Sequence, residues 1–184
     1  MSAVAIIPAR GGSKRLFKKN IQKIWGKPMI YWSIQACLAC PRIDDVFVSS
    51  DDDEILEIAM DSGAKKIKRD AKLADDQTLK QLAIIDALNQ IEKKYDLVVS
   101  AQANSPELKS KDLSNAIEKL IKYDRNEIIS IDERLVQHGA FRIWRYKYAF
   151  TKALSYKTAC YLTNYKDIHT EEDLKYTEKN RIHD

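Results

Sequence analysis

The amino-acid sequence predicts one α/β domain, 1–184, in which helices cover both faces of a mainly parallel sheet in three αβα layers. Short apolar runs of strand length alternate along the chain with segments whose apolar residues recur at helical spacing. This alternation is typical of successive β-α-β units with right-handed crossovers. A length of 184 residues also suits a single domain with a substantial core. Since ligands bind such sheets beyond the carboxyl ends of the strands, the loops at those ends are expected to carry functional residues.

The first strand, predicted at residues 3–7, leads into a loop of unusual charge. The apolar run is too short for a typical helix and ends at Pro8, as expected of a strand buried on both faces. The sequence ARGGSK follows, and its two adjacent glycines let the backbone approach a ligand closely. Residues 10–23 contain six cations and no acid, whereas the whole chain carries a formal charge of +4. Amide groups and cations after a buried strand predict a polyphosphate site.

This loop matches neither of two common phosphate motifs. The Walker pattern requires a spacing that Gly12-Ser13-Lys14 lacks, and the dinucleotide pattern G-x-G-x-x-G is absent. On the motif alone, a solvated basic loop is therefore an alternative. We expect no nucleic acid partner, because the charge is confined to one loop and aromatic residues do not alternate with it.

The elements after this loop continue the alternation. Helical spacing of apolar residues predicts a helix from Pro28 to Cys40. The C-x-x-C pair of Cys37 and Cys40 falls at its end, where core packing is favoured over a redox role. A strand at residues 45–49 precedes the acids of residues 51–54, which either cap the next helix or contact a ligand or metal. Further strands are predicted at residues 64–67, 95–101, 127–131 and 158–163, and further helices at 55–63, 79–94, 110–121 and from 170.

The composition favours a globular protein of a reduced compartment. Hydrophobic residues make up 45% of the chain and charged residues 32%. No apolar run approaches the roughly 20 residues that cross a membrane, so no membrane partner is expected. The first residues lack the basic segment and cleavage site of a secretory signal. An odd number of cysteines, three, adds to the expectation of a cytoplasmic protein.

Residues 6–21, IIPARGGSKRLFKKNI, closely resemble the opening signature of the acylneuraminate cytidylyltransferases (CMP-N-acetylneuraminic acid synthetases) and their relatives. The resemblance implies a Rossmann-like nucleotidyltransferase fold and transfer of CMP from CTP to an acidic, sialic-type sugar with release of pyrophosphate and use of Mg²⁺. It also implies that Arg10, Ser13, Lys19 and Asn20 hold the triphosphate. The nucleotide-binding set from this loop is then Ala9, Arg10, Gly11, Gly12, Ser13, Lys14, Lys19 and Asn20.

Two later segments resemble the nucleoside and sugar pockets of the same family. Arg69 and Asp76 match an arginine and an aspartate that line the base and ribose pocket. Residues 102–106, QANSP, resemble the family sequence Gln-Pro-Thr-Ser-Pro, so Gln102 and Ser105 are expected to contact the sugar. The sequence departs from that pattern at Ala103 and Asn104.

The closing segment DIHT, residues 167–170, resembles the family motif Asp-x-Asp-Thr, which presents two carboxylates to a metal. Here the two positions are Asp167 and His169, and the resemblance implies that both are metal ligands. Imidazole suits zinc or nickel better than magnesium, and His169 could equally point to solvent. Catalysis is then expected from positioning and charge neutralisation by Arg10, Lys19 and Asp167.

The short connection at residues 132–137 is a further departure from the family. Relatives of this type carry a long excursion here, which reaches a second subunit and helps to close the sugar site. Its absence predicts a monomer or a weak homodimer. The same departures leave two alternatives open: a nucleotide-binding module of this fold with lost or altered transferase activity, or a nucleotidyltransferase for a different acceptor.

Overall fold

The computed structural model describes residues 1–74, 79–151 and 153–181. Strands and helices alternate along most of this chain, as the sequence predicts. The strands are β1 (Ala3–Pro8), β2 (Lys23–Ile24), β3 (Lys27–Pro28), β4 (Asp45–Ser50), β5 (Lys65–Lys68), β6 (Leu97–Ala101), β7 (Glu127–Ile131), β8 (Gln137–Arg145) and β9 (Thr158–Leu162). The α-helices are α1 (Met29–Leu38), α2 (Asp53–Asp61), α3 (Lys80–Gln90), α4 (Ser110–Lys122) and α5 (Glu171–Lys179).

Seven of the strands form one sheet in the order β5-β4-β1-β6-β8-β7-β9, and β2 pairs with β3 in a small ribbon. Neighbouring strands of the large sheet are parallel except at β8, which runs antiparallel to both β6 and β7. Strand β8 is reversed because a tight turn joins it to β7, in which the Asp132 N–H donates to the Val136 carbonyl at 2.9 Å. The prediction of a mainly parallel αβα sheet is therefore confirmed.

The core lies on both faces of the central strand β1, whose side chains alternate between two clusters. Ala5 and Ile7 face a cluster formed with α1, α2 and α4, whereas Val4 and Ile6 face α3. Burial of each large aliphatic side chain contributes about 1.5–3 kcal/mol, so this strand holds the two helical layers together. No helix in the described ranges is long and apolar enough to cross a membrane.

Local capping agrees with the sequence at two helices. The Asp52 carboxylate caps α2 by accepting hydrogen bonds from the backbone N–H groups of Glu54 at 2.9 Å and Ile55 at 3.3 Å. Thr170 and Asp173 form a reciprocal capping box at the start of α5. These caps fix the backbone where α2 and α5 begin, at the end of the sheet that carries the glycine loop.

The cysteine pair is structural, as the sequence analysis favours. Cys37 and Cys40 are both buried without a disulfide, and Cys37 belongs to the cluster under α1. Burial raises the pKa of both thiols, which keeps them protonated and unreactive at neutral pH.

Candidate active site

A cleft of about 390 Å³ opens at the carboxyl ends of β1, β5 and β6. The strands end beside one another there, so the loops that follow them contribute side chains to a single site, as expected for this sheet type. Its lining comprises Pro8, Arg10, Ser13, Arg15, Lys19, Asn20, Arg69, Leu73, Leu79, Lys80, Ala83, Gln102, Ala103, Asn104 and His169. The structure thus brings together the predicted Arg10, Lys19, Arg69 and Gln102.

The glycine loop is held in place by acids that follow β4. The Gly11 N–H donates to Asp51 Oδ1 at 3.1 Å. A side chain at Gly11 would place its Cβ 2.5 Å from Asp52 Oδ2, so only glycine permits this approach. Within the described residues, the next two amide groups, those of Gly12 and Ser13, donate to no protein acceptor. They remain available to an anionic ligand.

Two predicted nucleotide-binding residues have supporting contacts within the loop. The Asn20 side chain is buried, and its Nδ2 donates to the Arg10 carbonyl at 3.0 Å. The Ala9 N–H donates to the Ser49 carbonyl at 2.9 Å and its side chain is buried. Both residues therefore fix the path of the loop around Arg10.

A second cavity of about 310 Å³ adjoins the cleft and is lined by Arg10, Ser13, Lys14, Arg15, Lys19 and His169. We call it the cation chamber, because four of these six residues are cations and none is a carboxylate. Burial, followed by repulsion from Arg15 and Arg10, lowers the pKa of Lys19. A polyphosphate bound here would relieve that repulsion and accept charge-assisted hydrogen bonds.

Arg69 lies at the other end of the cleft and is 5% exposed. Its Nη2 lies 3.5 Å from Asp51 Oδ1, and its buried Nε has no partner among the described residues. Burial lowers the pKa of Arg69, and the nearby Asp51 carboxylate opposes this effect. Buried donors in folded proteins nearly always have a hydrogen-bond partner, so the Arg69 Nε, to which no described residue bonds, is typical of a ligand site. Asp76, the predicted partner of Arg69, lies outside the described residues.

The Asp167 carboxylate is held by two protein groups. One oxygen accepts the Ser105 hydroxyl, and the other accepts the Gly139 N–H at 2.8 Å. A Cβ at Gly139 would lie 3.0 Å from that second oxygen and 2.8 Å from Gln102 Nε2, so a larger residue here would displace one of these two side chains. Ser105 is fully buried, so its hydroxyl supports Asp167 instead of lining the cleft as a sugar contact.

The predicted metal ligands occupy different positions. His169 lines both the cleft and the cation chamber, whereas Asp167 is not among the described residues that line either one. No group of three or more His, Cys, Asp or Glu in the described ranges could hold a metal ion. Magnesium often takes one carboxylate together with substrate phosphates, so Asp167 fits such a site. The His169 imidazole fits it poorly, and burial, followed by Lys19, lowers the pKa of this side chain.

A third cavity, of about 330 Å³, shares Leu79, Lys80 and Gln102 with the cleft. We call it the side pocket. Its remaining lining is Gln81, Ile84, Ser100, Gln137, His138, Gly139, Phe141, Arg142 and Trp144. Arg142 lies over the Trp144 ring, 4.8 Å from its centroid, and its Nε donates to Glu127 Oε2 at 2.9 Å. The lining carries two cations, Lys80 and Arg142, and no carboxylate.

Four basic residues of these linings were not among the predicted site residues: Arg15, Lys80, His138 and Arg142. Arg15 lies in the same basic loop as Arg10, so its charge was a usable signal. Arg142 follows Gly139 by three residues in β8, and strand alternation would have placed it on one face with Trp144. Lys80 is the first residue of α3 and carries no such local signal.

A cation-lined cleft at the carboxyl edge of a mainly parallel sheet is typical of α/β proteins that bind phosphorylated ligands. Comparison with known sequences makes the assignment specific: residues 4–180 match the sequence model of the family described as Cytidylyltransferase, and the chain belongs to that family.

Named relatives are 35–40% identical to this chain over the residues that align. A pseudaminic acid cytidylyltransferase of Campylobacter jejuni subsp. jejuni serotype O:23/36 (strain 81-176) is 40% identical over 126 residues, which cover 66% of this chain and 54% of that protein. An N-acylneuraminate cytidylyltransferase A of Danio rerio is 35% identical over 130 residues, 71% of this chain and 30% of that protein. The chain therefore spans about half or less of these relatives' lengths.

A solved structure of CMP:2-keto-3-deoxy-manno-octonic acid synthetase complexed with CTP shares the fold, with a TM-score of 0.81. The match covers 97% of this chain and 98% of that one at 16% identity. The expected Rossmann-like nucleotidyltransferase fold is confirmed.

Proposed function

We propose that this protein transfers CMP from CTP to an acidic sugar of the sialic type and releases pyrophosphate. The observation that carries the proposal is the continuity of three cavities at one sheet edge. The cation chamber and the cleft share Arg10 and Lys19 in their linings, and the cleft and the side pocket share Lys80 and Gln102. These cavities provide adjoining spaces for a triphosphate, a nucleoside and an acceptor.

The triphosphate of CTP belongs in the cation chamber. Arg10, Lys14, Arg15 and Lys19 supply positive charge, and the amide groups of Gly12 and Ser13 supply neutral donors. The nucleoside then extends along the cleft toward Arg69, whose guanidinium can donate to a cytosine carbonyl. Asp76 stays a prediction for the ribose.

The acceptor sugar belongs in the side pocket. Lys80 gives this pocket a positive charge suited to a carboxylate, beside Arg142, which is already paired with Glu127, and Gln102 can bond to hydroxyl groups. The names of the relatives, which refer to pseudaminic acid and N-acylneuraminate, support an acidic acceptor. Our proposal places the acceptor hydroxyl near Gln102, where the side pocket and the cleft meet.

In the proposed reaction an acceptor hydroxyl attacks the α-phosphorus of CTP. A new P–O bond forms to the sugar, the bond between the α-phosphorus and its bridging oxygen breaks, pyrophosphate leaves with that electron pair, and the hydroxyl proton passes to solvent water. Arg10 and Lys19 offset the charge that develops on the phosphate oxygens, and no covalent enzyme intermediate is needed. When bound, magnesium would add to this neutralisation, and Asp167 is the residue we propose to hold it.

The test is to measure pyrophosphate release from CTP and magnesium with N-acetylneuraminic or pseudaminic acid as acceptor. We expect release with an acidic sugar and none with the neutral control N-acetylmannosamine. CTP binding without release for any acceptor would favour the alternative of a nucleotide-binding module, for which the short turn between β7 and β8 is the motivating feature. Release only with another class of acceptor would identify a different nucleotidyltransferase.

The buried, reduced pair Cys37 and Cys40 supports our further proposal of a cytoplasmic location.

A further inference from the structure

The imidazole of His169 faces the cation chamber and is fixed there through its backbone. The His169 N–H donates to Asp173 Oδ2 at 3.0 Å, which ties the residue to the capping box of α5. The preceding residue, Ile168, is fully buried and bonded to Asn104. The ring itself is not tied: its Nδ1 is buried and has no partner among the described residues. The side chain therefore lines the chamber with a ring nitrogen to which no described residue bonds.

The surroundings of this ring suit an anion and do not suit a divalent cation. The chamber is lined by four cations and by no carboxylate among the described residues. Asp167, proposed above to hold magnesium during transfer, and Asp173 lie near the ring but outside the chamber lining. A metal ion next to the imidazole would add two positive charges to those of Arg15 and Lys19, whereas a phosphate would offset them.

We propose that His169 is a phosphate ligand, and that the cation chamber binds pyrophosphate without a divalent metal. A neutral imidazole carries one N–H donor, so it can bond to a phosphate oxygen without a change of charge. A carboxylate at this position would repel the same oxygen unless a cation bridged the two. This inference deepens the proposed function and rests on it, because it assigns the ligand of one of its three cavities.

The test uses the full chain and inorganic pyrophosphate. Isothermal titration calorimetry in EDTA should show binding to the wild type. His169→Asp should weaken that binding by about tenfold or more, since an N–H donor is replaced by a carboxylate that repels the negative pyrophosphate. Added magnesium should restore much of the binding, because it can bridge the carboxylate and the phosphate. His169→Asn keeps a side-chain N–H donor and should stay within about threefold of the wild type.

Asn180→Asp is the matched control. It adds one negative charge at the far end of α5, outside the linings of the chamber and the cleft, so pyrophosphate affinity in EDTA should not change. Thermal unfolding of every variant checks that it is folded.

Three outcomes overturn the inference and are distinguishable from one another. If both His169 variants bind pyrophosphate in EDTA as the wild type does, the imidazole is not a ligand. If the wild type binds pyrophosphate only with magnesium, the metal-free chamber is wrong. In either case CTP binding and the proposed transfer reaction stand. If the wild type binds neither pyrophosphate nor CTP under any condition, the proposed function fails together with the inference.

Discussion

Asn104 and Ile168 are joined by two hydrogen bonds that hold the closing segment against the sheet. The Ile168 N–H donates to the Asn104 carbonyl at 2.9 Å, and Asn104 Nδ2 donates to the Ile168 carbonyl at 2.9 Å. Both residues are buried. Since Asp167 and His169 flank Ile168, this pair of bonds sets the direction of both side chains. Asn104 departs from the family pattern, and the structure shows what its amide does.

Asn104→Ala should therefore impair transfer more than its cost in stability explains. The substitution removes one hydrogen bond and leaves the Ile168 carbonyl without that donor, at a cost of about 1–3 kcal/mol. We expect kcat/KM for CTP to fall about tenfold or more, because small displacements of positioned groups are costly. Steady-state kinetics and urea unfolding give the two quantities.

Gln35→Ala is the control for Asn104→Ala. It removes a comparable amide-to-carbonyl bond, from Gln35 Nε2 to the Ser62 carbonyl at 2.8 Å, away from the lining of the cleft. It should lower stability with unchanged kinetics. Equal kinetic effects of the two variants would show that Asn104 acts only through stability.

Lys19→Ala should weaken CTP binding by at least about 1.5 kcal/mol, because a charge-assisted bond to phosphate is lost from the chamber. Lys18→Ala is the matched control in the same basic loop. Lys18 pairs with Glu54 and lines neither the chamber nor the cleft. Calorimetry with CTP should therefore show a large loss for the first variant and a small one for the second. Similar losses would mean that only the overall charge of the loop matters.

The sequence predicts the strand ends of this site better than its side-chain directions. The alternation of apolar runs places Arg10, Arg69 and Gln102 at neighbouring strand ends, and the structure brings all three into one cleft. The direction in which Ser105 points depends on Asp167, which lies 62 positions further along the chain. No local pattern carries such a tertiary contact, and the same holds for the contribution of Lys80 from α3.

We predict that the protein is a monomer or a weak dimer at micromolar concentration. The turn between β7 and β8 is closed by its own bonds, since Asp132 Oδ1 accepts the N–H groups of Arg134 at 3.0 Å and Val136 at 2.9 Å. This short turn does not extend far enough from the sheet to contact a second subunit. Light scattering should give the mass of one chain. A stable dimer would mean that another surface is used, such as the aromatic segment at residues 144–150.

Asp45 begins β4 at the opposite end of the sheet, and we expect it to make the stability of the fold depend on pH. One Asp45 oxygen accepts Lys65 Nζ at 2.6 Å, and the other accepts Lys93 Nζ at 2.8 Å and the Tyr95 hydroxyl at 2.7 Å. The Asp45 side chain is 13% exposed. The hydrogen bond from Lys65, followed by that from Lys93, holds the pKa of Asp45 well below its usual range, against the effect of burial.

Because the folded-state pKa of Asp45 lies below the unfolded value of about 3.9, its contribution to stability is present above that pH and is lost as the pH falls below it. Asp45→Asn should lower the free energy of unfolding at pH 7 by about 1–2 kcal/mol, an estimate that allows for the exposure of the two lysines. The difference between wild type and variant should shrink as the pH falls from about 4 toward 2. Urea unfolding at pH 7, 5 and 3 measures this difference.

Asp53→Asn is the control, at an 81% exposed carboxylate paired with Lys68, and should change stability by about 0.5 kcal/mol or less at each pH. A difference between wild type and Asp45→Asn that stays constant down to pH 3 would show that the ionised Asp45 carboxylate does not stabilise the fold.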